Sequence, residues 1–442
     1  MNFETTKNFA SQLDNNDSLA HFRDKFWIPT LNSISKNTNS SNEKGKEKVV
    51  YFCGNSLGLQ PKTTKAYIEQ ELEDWKNLGV EGHFHGKNPW LSYHKLLTNQ
   101  TAKIVGAKPI EVVVMNNLTV NLHLLMVSFY RPNQKRFKIL MEGGAFPSDQ
   151  YAIESQVKFH GFSPDDAIVE MMPRKNENSE GEETLRTEDI LKKIEELGDE
   201  LALVMFGGVN YYTGQFFDLE KITQAAHKVG ATAGFDLAHA AGNVPLKLHD
   251  WKVDFATWCS YKYLNSGAGG TSGVFINEKY ADDDSLPRFA GWWGHDEKDR
   301  FKMKKGFIPM RGAEGWQLSN AQILPMAVHK ASLDIFEEAG FENLRQKSEQ
   351  LTVYMEFLIE NFNKEQSKIK IKIITPKNKL ERGCQLSLVF DKEGKKYHET
   401  LTKRGVISDW REPNVIRIAP IPLYNSFMDC YRFYEILKEI AV

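Results

Sequence analysis

Short apolar strands alternate with helices through the middle of this chain, which predicts an α/β protein built on a largely parallel sheet covered on both faces. Two further observations support that class. The chain has 442 residues, more than one core usually serves, so two domains are expected. The polar residues of chemical interest fall directly after the strands, where ligands sit in open sheets of this kind.

The elements run in order. Residues from about 4 to 23 read as helical, and Asn32 to Lys48 is an Asn-, Ser-, Lys- and Gly-rich surface loop with almost nothing to bury. A short strand at Tyr51 enters the turn Gly54-Asn55-Ser56-Leu57-Gly58. Pro61 opens a helix with Ile68, Leu72 and Trp75 on one face, closed by Gly79. Strands are expected at Glu111–Met115, Phe137–Met141, Leu201–Phe206, Ala231–Phe235, Phe255–Cys259 and Gly273–Ile276, with helices following several of them. Residues 174–184 are charged and read as a loop. From about residue 325 the pattern changes. A helical stretch over 326–363 precedes strands at Ile369–Ile374, Cys384–Phe390 and Val415–Ala419, a helix near 396–404, and a last helix over Ser426–Ala441. The expected division is an N-terminal segment (1–50), a large domain (51–325) and a smaller α+β domain (326–442).

Composition excludes several partners. Charged residues make up 26% and the net charge is −2, with both signs interspersed, so no basic face for nucleic acid is expected. Cys53, Cys259, Cys384 and Cys430 form no C-x-x-C pair, which argues against zinc or a disulfide framework. No apolar run approaches the roughly 20 residues of a membrane span, and no secretory signal is visible, so a cytoplasmic location is expected.

The chemistry gathers at strand ends. Lys262 follows the strand at Phe255–Cys259 and precedes Gly267-Ala268-Gly269-Gly270. A lysine at a sheet mouth is placed to form a Schiff base, and burial lowers its pKa toward a working base. Alone, it would be read as a surface lysine. Asp236 and His239 end the preceding strand, with a spacing of three. A buried aspartate there suits the ring nitrogen of pyridoxal phosphate, keeping it protonated. The alternatives are a satisfied polar pair or half a metal site, and no further ligand cluster favours metal. Leu118-Thr119 begins a helix, a natural phosphate site or simply an N-cap. Phe146-Pro147-Ser148-Asp149 offers a ring to stack on a flat cofactor at another helix start, unless Phe146 is a core aromatic. Gly207-Gly208 supplies a backbone-accessible turn after a third strand.

The ordered set Gly-Asn-Ser-Leu-Gly-Leu-Gln-Pro, Leu-Thr-Val-Asn-Leu-His, Phe-Pro-Ser-Asp, Phe-Asp-Leu-Ala-His and Ser-Tyr-Lys-Tyr-Leu-Asn resembles the kynureninase family. The resemblance continues through Gly-Trp-Trp-Gly-His, Leu-Ser-Asn and Ile-Arg-Ile-Ala-Pro-Ile-Pro-Leu-Tyr-Asn-Ser-Phe, from about Tyr51 to Phe427. It implies the fold-type I architecture of pyridoxal-phosphate enzymes, with a mostly parallel seven-stranded sheet. It implies hydrolytic Cβ–Cγ cleavage of L-kynurenine and 3-hydroxy-L-kynurenine to anthranilate or 3-hydroxyanthranilate plus L-alanine, in tryptophan catabolism and NAD biosynthesis. Lys262 would carry the cofactor and take the Cα proton, Asp236 would face the pyridine nitrogen beside His239, and Phe146 would stack on the ring. Leu118, Thr119 and Tyr261 would hold the phosphate, with Pro147, Ser148, Asp149 and Gly207 also around the cofactor. Tyr261 is equally a candidate for proton transfer to the departing carbon. Trp292 and Asn320 would reach a cofactor across a homodimer interface. Arg417 would clamp the substrate α-carboxylate, and Ser56, His83 and Asn320 would surround its side chain.

Gly207 stands where members of this family often have a serine, implying a hydrogen bond lost or supplied by backbone. His83 with Ser319-Asn320 resembles eukaryotic members that favour 3-hydroxykynurenine. The competing readings are a cysteine desulfurase or aminotransferase of the same superfamily, or a silent homologue that has lost its lysine or aspartate. Cys384, at the start of an expected strand, is a poor desulfurase nucleophile, and Lys262 and Asp236 are both present.

Overall fold

The computed structural model describes residues 3–34, 43–175, 181–366 and 368–441. Part of the loop expected at 32–48 and part of that at 174–184 therefore lie outside the described residues. The chain divides into two compact units. The first comprises Met1–Thr64, Tyr212–Gln215 and Asp334–Val442, and the second Lys65–Tyr211 and Phe216–Leu333.

The first unit opens with a helix over Lys7–Asn15, capped by the Thr6 side chain, which accepts the Phe9 N–H at 3.2 Å. Strand β1 (Val50–Tyr51) follows.

The second unit holds the large sheet. Its strands are β2 (Val112–Val114), β3 (Lys138–Glu142), β4 (Ile168–Met171), β5 (Leu201–Gly207), β6 (Thr232–Asp236), β7 (Phe255–Trp258) and β8 (Gly273–Ile276). They lie in the order β2-β8-β7-β6-β5-β3-β4. The pairs from β7 through β4 are parallel, while β8 runs antiparallel to both its neighbours. Burial on both faces explains why these strands read as unbroken apolar runs: every residue of β5 up to Phe206 is buried. The helices Leu118–Phe129 and Pro147–Phe159 pack into one core with β3, β5 and β7.

Strand β4 completes the seven and is absent from the pattern-based reading. Ile168 and Val169 are only partly buried and Glu170 is exposed, so no continuous apolar run marks it. The helix expected from Pro61 spans Thr64–Leu78. Its apolar face points outward, with Leu72 41% and Trp75 62% exposed. Glu71 turns inward instead, because three donors satisfy its carboxylate: Asn88 Nδ2 at 2.8 Å, Trp90 Nε1 at 2.9 Å and the Tyr93 hydroxyl at 3.0 Å.

The remaining strands belong to the first unit. The helical stretch expected at 326–363 is two helices, Ile323–Ala339 and Phe341–Glu365, broken at Gly340, whose φ of +74° suits glycine. Strands β9 (Ile371–Ile373), β10 (Leu386–Phe390), β11 (Val406–Ile407), β12 (Asp409–Arg411) and β13 (Val415–Ile418) follow. A four-stranded antiparallel sheet has the order β12-β13-β10-β9, and β11 pairs in parallel with β1. Phe341–Glu365 and the final helix Phe427–Ile440 share a core with this sheet. Ser426 caps that last helix: its hydroxyl accepts the Asp429 N–H at 3.1 Å, and the Asp429 carboxylate accepts the Ser426 N–H at 3.2 Å.

One close approach in the second unit matters for the site. A Cβ on Gly234 would lie 2.1 Å from the Phe255 ring of the neighbouring strand, and that ring stacks on Phe129 at 4.7 Å. The glycine therefore leaves room for the stack two residues before Asp236. Gly234→Ala should cost about 1–3 kcal/mol through overpacking. A lowered denaturant midpoint of the apo-protein would register it; an unchanged midpoint would show that the ring has room to move.

Candidate active site

Three adjacent strands end in a row of polar groups. Glu142 closes β3, Gly207 closes β5 and Asp236 closes β6, in the same order as the strands lie in the sheet. Gly207 and Asp236 are register partners. They line one cleft with Leu118, Thr119, Phe146, Ser148, Asp149, Val209, Tyr211, Ala238, His239, Cys259, Tyr261 and Lys262. All belong to the second unit.

Lys262 is held by a tight loop after β7. The Ser260 hydroxyl bonds to the Ser266 hydroxyl at 2.6 Å and to the Thr271 carbonyl, the Ser266 N–H donates to the Ser260 carbonyl at 3.2 Å, and Asn265 N–H donates to the Lys262 carbonyl at 3.1 Å. Asn265, Gly267 and Gly269 adopt positive φ, which lets the chain reverse so quickly. The Lys262 Nζ lies 3.0 Å from His239 Nε2 and 5.8 Å from the centre of the Phe146 ring. Tyr263 approaches the other imidazole nitrogen at 3.5 Å. Phe146, 41% exposed, stands edge-on to Tyr211 at 5.3 Å rather than buried in the core.

Two helices begin at this cleft, Leu118–Phe129 and Pro147–Phe159. Thr119 and Ser148, each one residue inside its helix, are joined hydroxyl to hydroxyl at 2.8 Å. Neither N-cap residue, Asn117 or Phe146, caps its helix with a side chain. Paired helix starts with hydroxyls between them would suit a phosphate dianion.

The carboxyl groups set the electrostatics. Asp236 Oδ1 accepts the Ala238 N–H at 2.7 Å. Burial raises the carboxyls of both Asp236 and Asp149, and the Asp236 charge raises Asp149 further. The Ala238 N–H and the Lys262 ammonium favour the ionised form of Asp236, while burial and the neighbouring Asp236 and Glu142 charges hold the Asp149 carboxyl well above the usual carboxylate range. Asp149 Oδ1 is buried without a hydrogen-bond partner. A flat cationic ring with a polar rim, placed between these acids and Phe146, would answer both the charge and the orphaned oxygen. The site therefore fits pyridoxal phosphate.

Glu142 escapes a reading from motifs, because it ends a strand with no pattern around it. Its two oxygens both accept the Gly207 N–H, each at 3.0 Å. The backbone N–H that might have replaced a serine hydroxyl at this position is thus already engaged. A Cβ at Gly207 would lie 2.8 Å from Glu142 Oε1. Burial pushes the Glu142 carboxyl up to about 7, with the Gly207 N–H drawing it partly back. Burial also raises the Cys259 thiol and the Tyr261 phenol.

The remaining expected residues are not among those lining this cleft. Pro147 opens its helix but does not line the cleft. His83 donates from Nδ1 to the Val80 carbonyl at 3.0 Å and meets Trp90 edge-on at 5.3 Å. Trp292 is 42% exposed beside Phe301, and Asn320 is exposed. Ser56 and Arg417 belong to the first unit, where Arg417 is buried in β13. Among the described residues no cluster of metal-ligating side chains occurs.

The chain is similar to known proteins along nearly its whole length. Residues 344–437 match the family model for the kynureninase C-terminal domain. The kynureninase of Flavobacterium psychrophilum is 56% identical over 439 residues, covering 99% of each chain. That of Homo sapiens is 48% identical over 440 residues, covering 99% of this chain and 93% of its own. Among solved structures, a cysteine desulfurase of Escherichia coli matches with a TM-score of 0.72 at 14% identity, over 96% of this chain and 99% of its own. Another, from Thermococcus onnurineus, matches with a TM-score of 0.71 at 17% identity, over 89% and 94%. At such identity the likeness concerns the fold alone, the fold-type I architecture.

Glu142 yields a pH dependence. Its folded carboxyl titrates at about 7 against an ordinary value of 4.5. The folded state then binds more protons than the unfolded state across that window, so stability is full below about pH 4.5 and falls as pH rises through 7. The loss attributable to this group is on the order of 3 kcal/mol. In Glu142→Gln apo-protein, melting temperatures between pH 5 and 8 should decline less than in the native chain; parallel curves would show that Glu142 is not the titrating group.

Proposed function

The chain belongs to the kynureninase family, and from that premise we propose how its residues carry out the reaction. The enzyme is a pyridoxal-phosphate-dependent hydrolase acting on the carbon–carbon bond of kynurenine. The observation that carries the residue assignments is the meeting of Lys262, Asp236, Asp149 and Phe146 at two helix starts in one cleft.

Pyridoxal phosphate, when bound, supplies the electron sink that makes bonds at Cα and Cβ labile. Lys262 would carry it and take the Cα proton, and His239 Nε2, 3.0 Å from the amine, would help to orient it. Asp236 would hold the ring nitrogen proton, its ionised form favoured by the Ala238 N–H. Phe146 would cover the ring, and Leu118, Thr119, Ser148 and the helix starts would receive the phosphate. Water adds to the side-chain ketone, and cleavage releases an anthranilate from the side of Cγ and leaves Cβ to gain a proton. Tyr261 keeps its phenolic proton under burial, which suits it to supply that proton; the same hydroxyl also suits the phosphate end. The products are anthranilate, or its 3-hydroxy form, and L-alanine.

Arg417 clamps the α-carboxylate, and Ser56, His83 and Asn320 surround the substrate side chain. With that surround the preferred substrate is 3-hydroxykynurenine, which places the enzyme in tryptophan catabolism and NAD biosynthesis. The chain acts as a homodimer, in which Trp292 and Asn320 serve the partner subunit's cofactor. The outward apolar face of Leu72 and Trp75, and the exposed Trp292, are supports for such a contact. No helix among the described residues is long and apolar enough to cross a membrane, and a cytoplasmic location accords with the reading. A desulfurase function is disfavoured: Cys384 is buried, and burial pushes its thiol up to about 12, the wrong direction for a nucleophile.

Purified enzyme should show a visible cofactor band that changes on adding 3-hydroxykynurenine, with 3-hydroxyanthranilate and alanine appearing. Lys262→Ala should abolish product, and a variant that still turned over would refute the assignment of Lys262. Comparing kcat/KM for the two substrates tests the preference, which a higher value for unhydroxylated kynurenine would overturn. Leu72→Glu with Trp75→Glu should shift the sedimenting species from dimer to monomer.

A further inference from the structure

Arg417 is buried at 1% exposure in the middle of the small sheet, between β12 and β10. A guanidinium in that position needs an anionic partner before any substrate arrives, since an unpaired buried charge is costly. The partner is Asp409. The two residues are directly opposite each other in the antiparallel β12–β13 register, so their side chains leave the sheet on the same face. Arg417 Nη2 donates to Asp409 Oδ2 at 2.8 Å. Arg411, two residues along the same strand, donates from Nη2 to the same oxygen at 3.1 Å and pairs through Nε with Oδ1 at 3.0 Å.

Across the other edge of Arg417, the register partner on β10 is Ser387, whose hydroxyl is committed to the Tyr212 carbonyl at 2.5 Å. Cys53 also faces the group, and burial keeps its thiol protonated and neutral. Two guanidiniums on one carboxylate leave the cluster with one positive charge. A guanidinium is a rigid planar fork of five donors, so fixing one Nη sets the plane of the whole group. A substrate carboxylate must match that plane to bind bidentately.

We propose that Asp409 is a positioning residue that sets the plane of the Arg417 guanidinium for the α-carboxylate of the amino-acid substrate. The inference rests on the reading of Arg417 as the carboxylate clamp. Arg411 in turn steadies Asp409 from the more exposed side, so the three groups act as one braced unit. None of them takes part in bond cleavage. Their effect belongs to ground-state recognition of one substrate group, and it should appear in KM more than in kcat.

The test uses the holoenzyme and two ligands: L-kynurenine, and the same amino ketone lacking its carboxylate, used as a competitive inhibitor. Asp409→Asn keeps the size of the side chain and removes its charge. It should raise KM for L-kynurenine by about tenfold, with kcat changed less, as expected for a mis-aimed charge-assisted bond. The inhibition constant of the carboxylate-free amine should stay unchanged. Asp409→Glu keeps the charge but moves it by one methylene, and should show the same selective loss, which covers the case in which the asparagine variant fails to fold. Equal weakening of both ligands, or an unchanged KM, would overturn the proposal. Arg417→Ala is measured in parallel. If it separates the two ligands while neither Asp409 variant does, only the positioning role falls. If Arg417→Ala separates nothing, the reading of Arg417 itself has failed.

Discussion

Burying three carboxyl groups against one amine is the constraint on which the active site depends. Glu142, Asp149 and Asp236 sit together at the ends of strands and the start of a helix, with Lys262 as the facing cation. Such a cluster is unfavourable by itself, because burial and mutual repulsion both disfavour charge. It persists because rigid elements hold each member. Glu142 is fastened to Gly207, Asp236 to Ala238, and Lys262 sits on a loop closed by hydroxyl bonds. The protein keeps an electrostatically poised cavity, whose acids a cofactor with a cationic ring nitrogen would meet.

The same logic recurs in the first unit at smaller scale. Arg417 is a buried cation held by Asp409, and Glu71 in the second unit is a buried anion held by three neutral donors. In each case a charged side chain occupies an interior position only because specific partners meet it. Stability and function are drawn from one set of interactions: the partner that makes burial tolerable also fixes the direction of the functional group.

Much of the fold was legible from the chain. Continuous apolar strands interrupted by glycine turns located β2, β3, β5, β6, β7 and β8, since two-sided burial leaves an unmistakable run of Val, Ile, Leu and Phe. The motif-bearing residues were legible for a related reason. Lys262, Asp236, His239, Thr119 and Phe146 all follow strands or open helices, and the structure gathers them in one cleft. Strand β4 was not legible, because it is only partly buried and Glu170 breaks its apolar run, whereas the other edge strand, β2, is buried throughout. Nor was the outward turn of Leu72 and Trp75: helical spacing reveals a face, but not which side of it the core lies on.

The sequence by itself determined the class of fold, the cofactor chemistry and the family, because these reside in local pattern and in short ordered motifs. Tertiary structure alone decided what Glu142 and Asp409 do. Glu142 acquires its role from Gly207, 65 residues away, and from burial that lifts its carboxyl to about 7. Asp409 acquires its role from a cross-strand register that puts it opposite Arg417. A carboxylate carries the same chemical label in every sequence. Its charge state and its aim depend on distance, burial and neighbours, and those exist only once the chain has folded.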